Sequence, residues 1–169
     1  SKIRTIPDFP KKGIMFKDIT TVLKDGEALK YCIDTMYDHY KGKHISKVIG
    51  IESRGFIIGT ALAYRLGIGF IPIRKPGKLP AERIRQEYTL EYGTDAIEIH
   101  KDAIAKGERV VIHDDVLATG GTMEAACTLV QQLGGEIVGL SFLVELAFLY
   151  PRKRLSGYDI FSLVQYNAE

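Results

Sequence analysis

The chain has 169 residues, of which 46% are hydrophobic and 26% are charged, and its formal net charge is +2. These proportions are ordinary for one globular domain and exclude the disordered, collagen-like and coiled-coil classes. A charge so close to balance also lacks the broad basic surface of a dedicated nucleic-acid binder. We therefore expect no nucleic-acid partner, and we expect any anion site to be local.

The N-terminal segment shows no helical or strand period. Residues 1–25 combine Pro7, Pro10 and Gly13 with apolar residues, which predicts an irregular but packed piece. The first residues also lack the apolar run of a secretory signal. We expect a single domain over 1–169, with 1–25 forming a small hood.

The two cysteines give no sign of a disulfide or a metal site. Cys32 and Cys127 lie far apart, without metal-ligand spacing, and each falls in a segment that predicts a helix. Such residues are typical of buried apolar positions in a protein of the reducing cytosol. We therefore expect a cytoplasmic protein.

A helix is predicted from Glu27 to about Gly42, and two strand–helix–strand units follow it. In chain order, their elements are a strand at 47–51, a helix at 54–66, a strand at 69–74, a strand at 109–112, a helix at 122–133 and a strand at 137–144. Apolar strands alternating with helices predict a doubly wound α/β fold with a mostly parallel sheet. The apolar stretch 55–73 is not a predicted membrane span, because Arg65 and Pro72 interrupt it.

Between the two units, residues 75–93 are polar and rich in Lys and Arg, without a clear period. A loop of this length in a compact domain is typical of a flexible lid over a site. A hairpin of 88–91 with 96–99 is predicted at its far end, and Arg83 and Arg85 are predicted surface charges. One more strand is predicted at 158–166.

The strongest chemical signal is the segment Arg109 to Thr122. An apolar strand leads into Asp114 and Asp115, and the small-residue turn 118–122 then opens a helix. Such turns lie at the carboxyl edge of a parallel sheet, where ligands bind. The free N–H groups and positive dipole of the helix N-terminus favour a phosphate.

The residues next to this phosphate loop (118–122) restrict the class of ligand that it can bind. A nucleotide triphosphatase loop needs a Lys after its last glycine, but Met123 follows Thr122. The adjacent Gly120 and Gly121 also do not supply the GxGxxG of a dinucleotide site. One phosphate with two carboxylates upstream fits a ribose 5-phosphate.

The same segment resembles the motif that binds phosphoribosyl pyrophosphate (PRPP) in the type I phosphoribosyltransferases. Five further runs, in order along nearly the whole chain, are similar to the members of that family that act on adenine. They are the runs 7–10, 13–19, 52–56, 74–80 and 90–93. The resemblance implies transfer of the phosphoribosyl group from PRPP to adenine, giving AMP and pyrophosphate in purine salvage.

The resemblance also implies roles for particular residues. The 5-phosphate and ribose of PRPP would be bound by Asp114, Asp115, Ala118, Thr119, Gly120, Gly121 and Thr122. The pyrophosphate would be bound by Ser53, Arg54, Arg74, Lys75 and Lys78. Adenine would be bound by Met15, Phe16, Lys17 and Leu146, with Phe16 stacking on the base. Mg²⁺ would be held through PRPP and water, with no direct protein ligand, and the chain would form a homodimer.

Acid/base chemistry at the purine is implied for one lid residue. Glu91 would act as a general acid/base at the purine, while the lid 75–93 excludes water that would hydrolyse the activated sugar. The family often has a cis peptide in its pyrophosphate loop, which predicts one between Glu52 and Ser53. His113 stands where the family usually has an aliphatic residue. Because strand side chains alternate between faces, His113 should point away from the Asp114 side of the strand, and we predict that its role is structural.

Three other functions remain open on the sequence alone. The chain could act on a different purine, it could sense PRPP without catalysis, or it could be a receiver-like domain with Asp114 or Asp115 as phosphoacceptor. A sensor of this kind usually carries an added DNA-binding domain, for which 169 residues leave no room.

Overall fold

The computed structural model describes residues 2–90 and 92–169. Within these ranges the strands are β1 (Arg4–Ile6), β2 (Phe16–Asp18), β3 (Lys47–Ile51), β4 (Gly69–Ile73), β5 (Arg83–Thr89), β6 (Thr94–His100), β7 (Arg109–Leu117), β8 (Glu136–Leu146) and β9 (Ile160–Tyr166). The helices are α1 (Thr20–Leu23), α2 (Gly26–Tyr40), α3 (Gly55–Leu66), α4 (Gly121–Gln132) and α5 (Pro151–Arg154), with a 3₁₀ turn at Ala147–Leu149.

The centre of the fold is a five-stranded sheet in the order β4-β3-β7-β8-β9, and every neighbouring pair in it is parallel. Alternate strand residues point to opposite faces, so each strand contributes to two cores. Val48 and Val111 pack with α2 and α3, whereas Ile49 and Val110 pack with α4. The predicted doubly wound α/β fold is therefore confirmed. Cys32 and Cys127 are buried and unpaired, as predicted.

Three segments differ from the prediction. The strand predicted at 109–112 continues to Leu117, because Val116 and Leu117 still pair with β8. Within the lid, a hairpin was predicted only for 88–91 with 96–99, but Arg83–Thr89 pairs with Thr94–His100 in a longer hairpin. The hood was expected to be irregular, yet β1 and β2 pair in it, with Ile6 opposite Phe16.

The predicted surface charges on this hairpin divide into two cases. The side chain of Arg83 donates from Nε to Glu98 Oε2 at 3.2 Å, and Glu98 is buried. Arg83 is itself exposed, as predicted for a surface charge, and it also neutralises this buried carboxylate. In the described part of the chain, Arg85 pairs only with the exposed Glu87, at 3.3 Å. No helix in the described ranges is long and apolar enough to cross a membrane.

Gly50 sits where β3 is covered most closely, which gives a first prediction. A Cβ at this position would lie 2.6 Å from the ring of Phe70 and 2.9 Å from the carbonyl oxygen of Gly55. Because overpacking of this kind forces the backbone to move, we expect Gly50→Ala to lower the free energy of unfolding by about 3 kcal/mol.

Gly69→Ala is the matched control, because its Cβ would meet only Lys47, at an ordinary 3.7 Å. We expect a change within about 0.5 kcal/mol for this variant. Urea titrations of both variants measure the difference. Equal stability of the two would contradict the packing described for β3.

Candidate active site

A cavity of about 580 Å³ opens at the carboxyl edge of the sheet. It contains residues from all three groups that the sequence predicted for PRPP and adenine. Its lining consists of Ile14, Met15, Phe16, Lys17, Ile51, Glu52, Ser53, Arg54, Lys75, Tyr88, Asp114, Asp115, Val116, Ala118, Thr122 and Leu146. Residues more than a hundred positions apart in the sequence therefore share one site.

The phosphate loop forms a second recess of about 80 Å³ beside this cavity, lined by residues 116–123 together with Asp114 and Phe142. Gly120 is the N-cap of α4 and has a φ of 90°, a left-handed conformation that favours glycine. Within residues 2–90 and 92–169, no side chain caps α4. The first N–H groups of this helix are thus available to an anion.

The acidic pair lies on the last part of β7, between the recess and the cavity. The backbone N–H of Asp115 donates to Asp114 Oδ1 at 2.8 Å, and Asp115 is only 4% exposed. Burial, and then the neighbouring charge of Asp115, raise the pKa of Asp114 well above its ordinary value. Its environment therefore favours the protonated form of the Asp114 carboxyl.

Arg54 supplies a cation beside the acidic pair. Its Nε lies 2.8 Å from Asp115 Oδ2, while that oxygen accepts no aligned hydrogen bond from the described residues. The guanidinium carbon of Arg54 also lies 5.3 Å from the ring centroid of Phe16. Arg54 therefore connects the acidic pair to the predicted base-stacking residue.

The predicted pyrophosphate side is organised by Glu52. Its carboxylate accepts from Arg74 Nη2 at 2.9 Å, from Lys78 Nζ at 3.0 Å and from the backbone N–H of Lys75 at 2.9 Å. Although burial alone would raise the pKa of Glu52, these hydrogen bonds outweigh it and lower the pKa. The peptide between Glu52 and Ser53 is cis, as predicted. Among the described residues, Glu52 thus gathers three basic residues beside the cavity.

These predicted pyrophosphate residues are not all placed alike. Ser53, Arg54 and Lys75 line the cavity, whereas Arg74 and Lys78 lie beside it on Glu52. The catalytic residue predicted from the resemblance, Glu91, lies outside the described residues.

The predicted adenine side is formed by the hood and the end of β8. Phe16 packs edge-on against Phe9, with ring centroids 5.0 Å apart. The side chain of Lys17 is engaged elsewhere, since its Nζ donates to Thr5 Oγ1 at 3.2 Å and lies over the ring of Tyr166. This leaves a flat apolar surface, with Leu146 also lining the cavity.

The sequence did not single out four of the lining residues: Ile14, Ile51, Tyr88 and Val116. Of these, Tyr88 carries a polar group and comes from the hairpin. Its side chain is half-buried, as expected from the alternating exposure along β5. An alternating pattern along β5 was the only signal that could have pointed to Tyr88. It was obscured because most of the other β5 positions carry polar side chains.

His113 lies on the face of β7 opposite to that of Asp114, and it gives a second prediction. It is fully buried, its Nδ1 lies 3.2 Å from Ser141 Oγ, and its Nε2 has no partner among residues 2–90 and 92–169. Burial lowers the pKa of His113 to about 4. Because the unfolded chain has a histidine pKa of about 6.5, this residue's contribution to stability is complete above that pH and is lost as the pH falls towards 4.

We therefore expect the wild-type protein to lose about 2 kcal/mol more unfolding free energy between pH 7 and pH 5 than His113→Val does. Urea titrations of both proteins at the two pH values measure this difference. Parallel losses in the two proteins would show that His113 does not remain neutral in the fold.

Comparison with known proteins agrees with this site. The model of the phosphoribosyl transferase domain family matches residues 18–167. An adenine phosphoribosyltransferase of Acidobacterium capsulatum is 60% identical over 167 residues, which are 99% of this chain and 92% of that protein.

Two solved structures extend the comparison. Adenine phosphoribosyltransferase of Thermoanaerobacter pseudethanolicus has a TM-score of 0.95 and 57% identity, covering 98% of this chain and 96% of that one. The Trypanosoma brucei enzyme, solved with AMP, pyrophosphate and ribose-5-phosphate, has a TM-score of 0.90 and 29% identity, covering 97% of this chain and 76% of that one. The chain belongs to the phosphoribosyl transferase domain family and, within it, to the adenine phosphoribosyltransferases.

Proposed function

We propose that this chain transfers the 5-phosphoribosyl group of PRPP to adenine, giving AMP and pyrophosphate, with the cavity residues in the roles set out below. One observation carries the proposal. A single cavity joins the phosphate loop with its acidic pair, the cationic 52–54 loop, and the apolar surface around Phe16. These are the three surfaces that the reaction needs, one for the phosphoribosyl group, one for the pyrophosphate and one for the base.

PRPP binds across the first two surfaces. Its 5-phosphate accepts hydrogen bonds from the N–H groups of the phosphate loop, where the dipole of α4 favours an anion. Its ribose hydroxyls donate to Asp114 and Asp115. Its pyrophosphate takes Arg54 away from Asp115, and Ser53 and Lys75 complete its contacts, with Arg74 and Lys78 adding positive charge nearby.

The reaction replaces pyrophosphate by a purine nitrogen at the anomeric carbon. The C–O bond to pyrophosphate breaks and a C–N bond to the base forms, while the sugar carries positive charge in the transition state. Fixed charges and positioning supply most of the acceleration. The carboxylates of Asp114 and Asp115 stabilise the developing positive charge, and the basic residues around Glu52 stabilise the departing pyrophosphate.

Adenine binds between Phe16 and Leu146, and the backbone of Met15 and Lys17 recognises its edge. Backbone groups cannot exchange donor for acceptor, so a 6-oxo purine would leave buried polar groups unpaired at about 1–3 kcal/mol each. Glu91, by resemblance to the family, bonds the purine and assists loss of its N9 proton.

We expect magnesium to bind together with the substrate PRPP. The carboxylates of Asp114 and Asp115 are the hard oxygen donors that Mg²⁺ prefers, and they line the cavity. The described residues contain no group of three or more His, Cys, Asp or Glu that could hold a metal. We infer that Mg²⁺ would be held through PRPP oxygens and water, with Asp114 and Asp115 nearby but not as direct ligands, and that it would neutralise pyrophosphate charge.

The organisation of the protein follows the family. We infer one domain over 1–169, with the hood at 1–25 and the lid at 75–93, acting in the cytoplasm as a homodimer. Support for a self-association surface comes from α3, where Ile57 and Tyr64 are 48% and 87% exposed. Two buried unpaired thiols suit a reducing compartment.

The direct test is AMP formation from adenine and PRPP with Mg²⁺, followed spectrophotometrically. Hypoxanthine and guanine are the control bases in the same assay. We expect turnover of adenine to exceed that of either control by at least tenfold. Equal turnover of adenine and hypoxanthine would overturn the assignment of the base, and no turnover with any purine would overturn the proposed reaction.

A further inference from the structure

The side chain of Lys75 is held by two residues of the hairpin that have no assigned role. Its Nζ donates to the hydroxyl of Tyr88 at 2.8 Å and to Asp95 Oδ2 at 2.5 Å. The hydroxyl of Tyr88 in turn donates to the same oxygen of Asp95 at 3.3 Å. Tyr88 and Asp95 are directly opposite each other in the β5–β6 ladder, so the hairpin register brings them together.

The other end of Lys75 is fixed as well. Its backbone N–H donates to Glu52 Oε2 at 2.9 Å, beside the 52–54 loop. A lysine side chain is normally among the most mobile in a protein. In this position both its backbone and its charged end are tied, so most of its freedom is removed before any ligand arrives.

The ammonium group of Lys75 can still donate a hydrogen bond to a ligand in the cavity. Lys75 and Tyr88 line the cavity, whereas Asp95 does not. An ammonium group has three N–H donors, and Tyr88 and Asp95 take two of them. No further acceptor for Lys75 Nζ lies within the described part of the chain, so one donor remains for an anion in the cavity.

The charges also remain in place at neutral pH. Hydrogen bonding from Lys75 is the main cause that lowers the pKa of Asp95. Burial would lower the pKa of Lys75, but the bonds to Asp95 and Tyr88 outweigh it and raise the pKa. The half-buried amine is therefore protonated when a ligand enters.

We infer that Tyr88 and Asp95 are positioning residues that hold the Lys75 ammonium ready for the pyrophosphate of PRPP, an inference that rests on the proposed function. They act through Lys75 and touch no reacting atom. Because the side chain is ordered beforehand, less entropy is lost when pyrophosphate binds. The same contacts connect the hairpin to the pyrophosphate side of the cavity.

Steady-state kinetics with a double-mutant cycle tests this inference. We expect the KM for PRPP to rise about fivefold in Asp95→Asn, about threefold in Tyr88→Phe and about thirtyfold in Lys75→Gln. The kcat at saturating PRPP and the KM for adenine should stay within about twofold in the two hairpin variants. In the Lys75→Gln background, adding Tyr88→Phe or Asp95→Asn should change the KM for PRPP by less than about twofold.

Glu82→Gln is the matched control, because it removes a carboxylate from the same hairpin that pairs only loosely with Lys101, at 3.9 Å. It should leave the KM for PRPP unchanged. Additive effects in the Lys75→Gln background, unchanged KM values, or tighter PRPP binding by Asp95→Asn would each overturn the inference.

Calorimetric titration with Mg²⁺-pyrophosphate separates this inference from the proposed function. It reports binding without turnover, and thermal unfolding of each variant identifies any that fails to fold. We expect about fivefold weaker binding by Asp95→Asn than by the wild-type protein. A wild-type protein that binds neither PRPP nor pyrophosphate would remove the proposed function, whereas equal binding by the two proteins would remove only the role of Asp95.

Discussion

Replacing Glu91 by alanine is expected to lower kcat by about two to three orders of magnitude, with little change in the affinity for PRPP. General acid/base groups contribute accelerations of about 10²–10⁴, and we propose that this carboxylate acts at the purine rather than at the sugar phosphate. The measurement is kcat for AMP formation together with a direct titration of PRPP.

Glu87→Ala provides the control for charge on the hairpin. Glu87 is exposed on β5, and among the residues that the structure describes it pairs only with Arg85, at 3.3 Å. We expect its kcat to stay within about twofold of the wild-type value. If Glu91→Ala also retained near-normal turnover, Glu91 would have no part in the chemistry.

The second large effect is expected at the acidic pair. Asp114→Asn and Asp115→Asn should each lower kcat/KM for PRPP by about 10²–10³, because an amide cannot supply negative charge to the cationic sugar. The KM for adenine should change little, since neither carboxylate is predicted to meet the base. Asp102→Asn, at an exposed position outside the cavity, is the control and should behave as the wild-type protein.

Stability separates this functional loss from unfolding. Burial and the charge of Asp115 raise the pKa of Asp114, so the folded protein is destabilised by ionising that group. We therefore expect Asp114→Asn to have an equal or higher melting temperature at pH 7 than the wild-type protein. A variant that lost both activity and stability would argue for a structural role of Asp114 instead.

The sequence predicted most of the central sheet because buried parallel strands carry their signal locally. The run 47–51 has no polar side chain after Lys47 and lies between polar or glycine-containing segments, so its prediction matched β3 at both ends. The end of β7 was missed because Asp114 and Asp115 look like the end of a strand. Only pairing with β8 shows that the ladder continues past them.

The hood and the hairpin were harder to predict, since their strands depend on partners distant in space. β1 and β2 have three residues each, too few for a pattern to emerge. In β5 only Ile84 and Tyr88 are apolar among the half-buried positions, so the segment looked like a polar loop. Once paired with β6, the hairpin brings Tyr88 to the cavity.

In the candidate site too, some parts are specified locally in the sequence and others depend on residues distant in the chain. The phosphate loop is continuous in sequence, and it was therefore predicted with its neighbouring carboxylates. The ion pair of Arg54 with Asp115 and the contacts of Lys75 with Tyr88 and Asp95 join separate elements. No local pattern specifies such pairs, because each depends on how the strands and the hairpin close around the cavity.

The central claim is that the phosphate loop holds the 5-phosphate of the nucleotide, and a calorimetric comparison of AMP with adenosine tests it most directly. The two ligands share the base and the ribose and differ only in the phosphate. We predict that AMP binds at least a hundredfold more tightly than adenosine, because only AMP has a phosphate that can accept hydrogen bonds from the N–H groups at the start of α4. Equal affinity for the two ligands would mean that residues 118–122 do not bind the phosphate, and the account would be wrong.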